Sequence, residues 1–412
     1  MRGAIGACAV ALGLLAGCRF HAPAPPTPRQ PTPTVAPISA ELPLTKATRT
    51  EPDLRGLAKT PVRQISASED ARYRRLTEPV CQALAAQHTQ LANALDDEGR
   101  IPAKCETASD KLKQTVRFHT ALELRNRAAA DALDRFFQLA NAEASTDLLR
   151  EAFPVHDNLI AKAKAARAAD VRFPLDPADL ERQRSQTRSQ LEQSETSSEL
   201  LNIDLKRRLG LPPASEHLWP SGDFGINTEV VDAEPAVNAA IADRPELRGL
   251  RAVYANLTVD TLSSARGALG AGGSPPAPRG LARFILKHRG PDAEALAELE
   301  VRRKQLADLI AARERDIADE TRAAVVSLNA QTRRVQLARD RLDAWTAKRA
   351  DAIKKREANQ PGAELLESQV TMEWLKARAE AVSEVMAWHQ ARVRLKAAQG
   401  WLAWECLGEP KR

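Results

Sequence analysis

Apolar side chains recur at every seventh position through much of the second half of the chain, with charged residues filling most positions between them. Such spacing, held over several heptads, predicts long α-helices that wind around one another with a left-handed supercoil. The first of these helices is expected over residues 292–356, a rod of roughly 100 Å at about 1.5 Å per residue. Its apolar positions, interrupted once by Gln331, are Ile310, Ile317, Ala324, Ala338 and Trp345, with Leu328, Val335 and Leu342 four residues on.

The run Asn359-Gln360-Pro361-Gly362 breaks this pattern, because proline and glycine commonly end helices. The sevenfold spacing then resumes, and tryptophan or leucine alternates with alanine along the helix. Bulky side chains seated against small ones on a neighbouring helix predict an antiparallel hairpin with an interlocked seam. The resumed positions are Trp374, Ala381, Trp388, Leu395 and Leu402.

The first half of the chain shows a similar pair of arms. A break at residues 173–177 separates them, and Asp176 before Pro177 is typical of a helix N-cap with proline at the first helical position. One arm is marked by Leu122, Ala129, Leu133, Phe136, Phe137 and Ala140, and its return by Leu191, Leu201, Leu205 and Leu209.

These two halves indicate a tandem duplication of a unit of about 190 residues. The landmarks are residues 52–58 with 245–251, 136–139 with 325–328, and 209–210 with 399–400. We therefore expect an all-α fold, a tandem repeat of long antiparallel helical hairpins forming coiled-coil bundles with little or no β-structure. The expected division is helical repeat 1 at 46–214, a linker at 215–240 and helical repeat 2 at 241–408.

The N-terminus follows a different pattern. A short apolar run ends in Leu15-Ala16-Gly17-Cys18, which resembles the lipobox of bacterial lipoproteins. The resemblance implies a signal peptide at 1–17, acylation of Cys18 and a lipid anchor in the membrane; an ordinary export signal with an incidental cysteine is the alternative. Residues 18–45 are predicted to be a proline-rich tether, and the eight prolines between Pro23 and Pro43 predict an extended segment that reaches roughly 60 Å.

Composition and charge argue against two classes of function, nucleic-acid binding and enzymatic catalysis. The formal charge of +6 comes from 60 basic and 54 acidic residues that are interspersed, which is typical of solvated helix faces and gives no nucleic-acid surface. No histidine pattern suits a metal and no catalytic motif appears, so neither an enzyme nor a cofactor is expected. Cys81 and Cys105 are either a disulfide across a helical hairpin or free buried thiols.

Three segments match motifs of one known family. Asp243-Arg244-Pro245-Glu246-Leu247-Arg248 resembles the Arg-Pro-Asp/Glu-Leu segment that opens the second repeat of TolC-family outer-membrane efflux proteins. Residues 205–212 resemble the closing Leu-x-x-Leu-Leu-Gly-x-Pro of the first repeat. Residues 357–369 resemble the turn at the tip of the second hairpin. With the duplication, the resemblance covers about residues 50–408.

The resemblance implies a homotrimer whose helical repeats form a hollow duct through the periplasm, with β-hairpins in the outer membrane. It also implies that the hairpin tips dock a periplasmic adaptor of an inner-membrane pump. The tip candidates are Arg172, Phe173, Asp176, Asn359, Gly362 and Glu364. Carboxylates near the tips either line a cation-selective constriction or cap helices, and they include Asp179, Glu181 and Glu367.

The chain also departs from the family. Residues 270–290 hold three prolines and five glycines without an alternating apolar face, so we expect an irregular loop and membrane strands that are reduced or lost. Asn359 stands in the place of a tip glycine, and the first tip has none. Two functions therefore stay open: a TolC-like efflux or export component of the outer membrane, or a non-conducting structural or adaptor-like periplasmic coiled-coil lipoprotein.

Overall fold

The computed structural model describes residues 44–45, 49–50, 64–65, 73–100, 107–170, 175–213, 216–222, 224–270 and 291–406. Cys18, the signal peptide and most of the proline-rich tether lie outside these residues. The described chain is largely α-helical, which confirms the expected fold class. Its helices are α1 (Glu78–Gln87), α2 (Gln90–Arg100), α3 (Ala108–Ala168), α4 (Pro177–Arg208), α5 (Ala233–Asp243), α6 (Pro245–Ala255), α7 (Leu262–Ala268), α8 (Pro291–Glu357), α9 (Ala363–Ala398) and α10 (Trp401–Cys406), with a 3₁₀ turn at Val259–Thr261.

Short strands make up the remaining regular structure. The strands are β1 (Leu44–Thr45), β2 (Arg49–Thr50), β3 (Gln64–Ile65), β4 (Tyr73–Leu76) and β5 (His217–Pro220). Strand β4 pairs antiparallel with β1 and parallel with β5, while β2 pairs with β3. The β4–β5 pairing ties the start of the first repeat to the segment that follows α4.

The four long helices form a row in the order α4, α3, α9, α8, because α3 packs against α4 and α9, and α9 packs against α8. The heptad pattern produces this arrangement: α8 begins and ends within one residue of the helix expected from the sequence. Leu328, Val335 and Leu342 are buried in the seam between α8 and α9. The interrupting Gln331 is buried too, and its amide donates to the carbonyl of Glu384 at 3.1 Å.

Tryptophans from α9 fill the same seam. The indole N–H of Trp388 donates to the Thr332 hydroxyl at 2.9 Å, and that of Trp374 donates to the Thr346 hydroxyl at 3.1 Å. Both indoles are almost fully buried. A bulky ring whose polar atom reaches a hydroxyl on the facing helix explains how large aromatic side chains fit between closely packed helices.

The central core lies where α3 meets α9. Phe136 and Phe137 are fully buried on α3, and the ring of Phe137 stacks on His389 of α9 with centroids 4.8 Å apart. Phe224, from the segment after β5, closes the cluster with its ring 6.2 Å from that of Phe137. A local signal defines the start of α3, where Thr107 and Asp110 form a capping box.

The short helices pack on the first long helix of each repeat: α1, α2 and α6 lie on α3, and α5 lies on α8, which α6 also contacts. Helices α2 and α6 each have 11 residues. Residues 52–58, which the repeat pattern aligns with residues 245–251 at the start of α6, lie outside the described residues.

Two further expectations concern cysteine and the segment before α8. Cys81 is a free thiol, fully buried on α1, so the free-thiol alternative holds for it. Cys105 lies outside the described residues. The same is true of residues 271–290, where an irregular loop was expected. Among the described helices, none has both the length and the apolar character needed to cross a membrane.

Candidate functional site

The tip of the second hairpin is a compact turn between Glu357 and Ala363. Asn359 takes a left-handed conformation with φ of 51°, and its N–H bonds the carbonyl of Arg356 at 2.9 Å. The next N–H, of Gln360, reaches back to the carbonyl of Lys355 at 3.1 Å. This pair of bonds is the Schellman motif, which asparagine supports without glycine. A second left-handed residue, Gly362 with φ of 75°, then starts α9.

The tip of the first hairpin uses other residues for the same reversal. Helix α3 ends at Ala168, and Asp170 takes the left-handed conformation with φ of 54°. The Asp176 carboxylate accepts the N–H of Ala178 at 3.0 Å, so Asp176 is the N-cap of α4, as the sequence predicted. Arg172 and Phe173, the other first-tip candidates, lie outside the described residues.

The two tips lie together. An apolar cluster at the ends of the arms joins both hairpins, and it consists of Leu159, Ile160, Ala163 and Leu180, with Val155, Leu175 and Leu365 partly buried against them. Beside the cluster, the Lys162 ammonium pairs with the Glu364 carboxylate at 2.7 Å. This hydrogen bond lowers the pKa of the exposed Glu364 carboxyl. Sequence reasoning missed the pair because its partners belong to different hairpins.

The three other tip carboxylates singled out from the sequence also have partners within the chain. Their ion pairs are Asp179–Arg182 at 3.1 Å, Glu181–Lys164 at 2.6 Å and Glu367–Arg356 at 2.9 Å. With Asp176 at a cap and Glu364 paired to Lys162, the five carboxylates named in advance all hold positions that stabilise the tips. Capping and pairing are therefore their observed roles in the single chain.

The outer sides of the helix row are the second notable feature. On α4, Leu200 and Ile203 are 63% and 60% exposed; on α8, Val326 and Leu337 are 66% and 65% exposed. Large apolar residues that are so accessible on both ends of one row mark surfaces suited to covering by another molecule. Heptad spacing identifies the buried seams but does not single out these outer positions.

The Arg-Pro-Glu segment closes the end of α9 that is remote from the tips. The Arg244 side chain is 5% exposed and donates to the carbonyl oxygen of Ala398 at 2.9 Å. It also pairs with Glu246 at 2.7 Å and with Glu320 at 3.1 Å. A buried guanidinium that bonds the final carbonyls satisfies acceptors that a helix end leaves open.

Glycines at the ends of α4 and α9 make room for the short helices. Gly400 has φ of 74°, and a Cβ there would lie 2.9 Å from the Cδ of Pro245. Gly210 has φ of 66°, and a Cβ there would lie 2.4 Å from Nδ1 of His88. The repeat pattern aligns these two glycines, and each lies just after the end of a return arm with a positive φ. It did not reveal that His88 takes, in the first repeat, the place that the Arg-Pro pair takes in the second.

Within the described residues, no group of three or more histidine, cysteine or acidic side chains is placed to hold a metal ion. The features described above as candidate sites are the two tips, the outer edges of the helix row and the junction at Arg244.

No family model and no curated protein matches the sequence. Solved structures do match the fold. The outer-membrane channel OprN aligns with a TM-score of 0.54 and 15% identity, covering 79% of this chain and 90% of that one. The open-state outer-membrane channel MtrE of Neisseria gonorrhoeae gives 0.54 and 11%, with 78% and 88% covered. VceC of Vibrio cholerae, an outer membrane protein, gives 0.51 and 10%, with 79% and 93% covered.

These proteins are TolC-family outer-membrane channels rather than enzymes. At such low identity the similarity is one of fold, and it extends over nearly the whole of the compared structures. The chain therefore has the fold of the TolC-family outer-membrane channels.

Proposed function

We propose that this chain is a subunit of a TolC-like outer-membrane efflux or export duct that forms part of a helical passage through the periplasm. Several copies, three by the family resemblance, would close their helix rows into one ring. The observation that carries the proposal is the pair of exposed apolar edges on α4 and α8. Each of the side chains involved is more than half exposed, and its burial against a neighbouring copy would stabilise the assembly.

The two edges present their apolar residues at the same level of the row. On α8, Leu337 lies between Gln331 and Arg341, which contact Glu384 and Glu380 of α9. Those glutamates therefore mark the level of Leu337 on the neighbouring helix.

The contacts between α9 and α3 show which part of α3 lies at the same height as these glutamates. Gln390 of α9 donates to Asp134 of α3 at 3.0 Å, and Arg378 of α9 approaches Glu151 of α3 at 3.5 Å. The glutamates opposite Leu337 lie between Arg378 and Gln390. The corresponding level on α3 is therefore the stretch between residues 134 and 151.

The contacts between α3 and α4 show which part of α4 lies at this height. The Thr146 hydroxyl bonds that of Ser194 at 2.9 Å, and Asp131 pairs with Arg208 at 3.2 Å. Leu200 lies between the two α4 partners, opposite the same stretch of α3. A head-to-tail ring would then bring the α4 edge of one copy against the α8 edge of the next, which is the heterologous contact that closes rings.

The mass of the purified full-length chain in detergent tests this proposal. We expect a trimer for the unchanged protein and a monomer for Leu337→Asp, because a carboxylate at the edge has to be desolvated on assembly. Leu91→Asp is the matched control, since Leu91 is 61% exposed but lies on α2, away from both edges. A monomeric unchanged protein without conductance in planar bilayers would support the non-conducting coiled-coil lipoprotein instead.

The membrane attachment is a separate part of the proposal. Acylation of Cys18 would anchor the chain in the outer membrane, facing the periplasm, and the tether would give the helices reach. Cys18→Ser should leave an unacylated protein that moves to the aqueous phase in detergent partitioning. Identical partitioning of the two proteins would overturn the lipobox assignment.

The joined tips are the proposed docking point for a periplasmic adaptor, and through it for an inner-membrane pump. The support is their position at the free ends of both hairpins and their chemistry, an apolar cluster rimmed by ion pairs. The test is a pull-down of adaptor from envelope extracts in which Glu364→Lys, which opposes Lys162, lowers recovery. Glu192→Lys on the mid-arm of α4 is the control, and equal loss in both would remove the tips from the proposal.

A further inference from the structure

A group of buried charges lies where α6 packs against α3 and α8, at the end of the arms remote from the tips. Glu123 of α3 is 8% exposed and Arg244 is 4% exposed. Glu246, at the start of α6, lies against both. Nothing in the channel proposal uses these side chains.

The acceptors and donors in this group do not balance. Glu123 Oε1 accepts from Arg127 at 2.6 Å. Glu246 Oε1 accepts from Arg244 at 2.7 Å and from Arg313 at 2.9 Å. The Oε2 atom of each glutamate is buried and meets no donor. The two carboxyl groups nevertheless lie within hydrogen-bonding reach of each other.

Two ionised carboxylates in a buried site repel each other and have no hydrogen to share, so a proton on one of them stabilises this contact. We propose that a single proton is held between Glu123 and Glu246, where it latches α6 to α3, and that its loss as pH rises loosens the junction.

Glu123 is the group that holds the proton. Burial, together with the neighbouring Glu246, raises the pKa of Glu123 to about 7. Burial also acts on Glu246, but the Arg244 guanidinium and the hydrogen bond from Glu123 outweigh it and lower the pKa of Glu246. Glu246 thus stays the ionised acceptor, and the Glu123 hydroxyl donates to it.

Loss of the shared proton would affect contacts of more than one helix, because Glu246 also orients Arg244. Arg244 in turn donates to the carbonyls of Ala397 and Ala398 at the end of α9. Repulsion between Glu123 and Glu246 would therefore act on the contact of α6 with α3 and on the closure of α9. The short helix pair would lose its fixed position against the arms.

Other charged groups face the pair from each neighbouring element. They are His119 and Arg127 on α3, Asp243, Arg244 and Arg248 at the start of α6, Arg313 and Glu320 on α8, and, beyond them, the ion pairs Arg125–Asp96 toward α2 and Lys396–Glu405 toward α10. Burial, with a smaller contribution from Arg248, lowers the pKa of His119 to about 4. His119 is thus neutral throughout the range in which Glu123 titrates.

The signs of these two effects are opposite. The raised pKa of Glu123 gives stability that is complete below the unfolded value of 4.5 and is lost as pH rises through about 7. The lowered pKa of His119 gives stability that is present above the unfolded value of 6.5 and is lost as pH falls toward about 4. The effect of Glu123 must therefore be measured as a difference between variants rather than from one pH profile.

The test uses the full-length chain and Glu123→Gln, because a glutamine amide can donate to Glu246 and accept from Arg127 at every pH. Melting temperatures are compared between about pH 5.5 and about pH 8.5. Because part of the Glu123 contribution is already lost at pH 5.5, we expect the melting temperature of Glu123→Gln relative to the unchanged protein to rise from the acid end to the alkaline end. A difference that does not change with pH, or one of opposite sign, would overturn the proposal.

Two further measurements separate the latch from a purely structural role. The exposed Glu192→Gln on α4 should give a difference that is independent of pH. Infrared spectra should contain the carbonyl band of a protonated carboxyl that disappears as pH rises through about 7 and is absent from Glu123→Gln. At the alkaline end, amides of α5 and α6 should exchange hydrogen faster in the unchanged protein than in Glu123→Gln. Equal exchange rates in the two would contradict the loosening of the junction.

Discussion

Replacing Trp388 by alanine should be among the most destabilising single changes in the arms. The indole is 4% exposed and fills the seam between α8 and α9. A side chain of this size removes roughly 200 Å² from water, and at about 25 cal/mol per Å² its burial contributes about 5 kcal/mol. Large-to-small changes at such sites cost about 3–5 kcal/mol, which agrees with that figure.

The free-energy cost of losing Trp388 can be separated into a part from packing and a part from its hydrogen bond. Its N–H donates to the Thr332 hydroxyl at 2.9 Å, which itself bonds the carbonyl of Leu328 at 3.1 Å. Thr332→Val keeps the shape but leaves the indole N–H buried without an acceptor, at a cost of about 1–3 kcal/mol. Trp388→Phe combined with Thr332→Val removes both polar groups, so the double variant should be more stable than the sum of the single losses predicts.

Thermal unfolding followed by circular dichroism measures these changes. Arg339→Ala is the control, because Arg339 is a half-exposed residue of α8. The midpoint should fall most for Trp388→Ala, less for Thr332→Val and least for Arg339→Ala. A shift for Trp388→Ala no larger than that of Arg339→Ala would show that the seam has been assigned to the wrong face of the helix.

Three further changes test other parts of the structure. Gly400→Ala should lower the melting midpoint, since a Cβ would lie 2.9 Å from Pro245, whereas Gly267→Ala meets nothing within 4 Å and should raise it or leave it unchanged. Asp176→Ala should cost about 0.5–2 kcal/mol at the N-cap of α4, and an unchanged midpoint would contradict that role. Burial strongly raises the pKa of Cys81, so this thiol should react with a thiol reagent only after unfolding; rapid labelling of the native chain would be inconsistent with its position.

The long arms could be predicted from the sequence because their signal is long. Heptad spacing repeats over many turns, so α8 was bounded to within one residue, and Asp176 and the break before Gly362 were identified from short, strong end signals. The short helices gave no such signal. Helices α2 and α6 have only 11 residues each, and their places depend on packing against α3 and α8.

The tips were predicted in part. Asn359 was recognised as a substitute for glycine because asparagine tolerates the left-handed conformation. Asp170 was missed, since an aspartate at the end of a charged helix does not by itself indicate a positive φ. The pair of Lys162 and Glu364 could not be found either, because periodicity says which residues are buried on one helix but not which hairpins meet.

The two repeats reach the same backbone geometry by different side chains, and this explains why a repeat motif is an incomplete guide to structure. A left-handed glycine ends each return arm, yet Gly210 packs on His88 while Gly400 packs on the Arg-Pro pair. The second arrangement brings the Arg244 guanidinium and the Glu246 carboxylate into the junction. The sequence could single out Glu246 as part of a motif, but its partner Glu123 belongs to no motif and becomes its neighbour only when α6 packs on α3. The shared proton is thus a property of tertiary burial, which local sequence patterns do not encode.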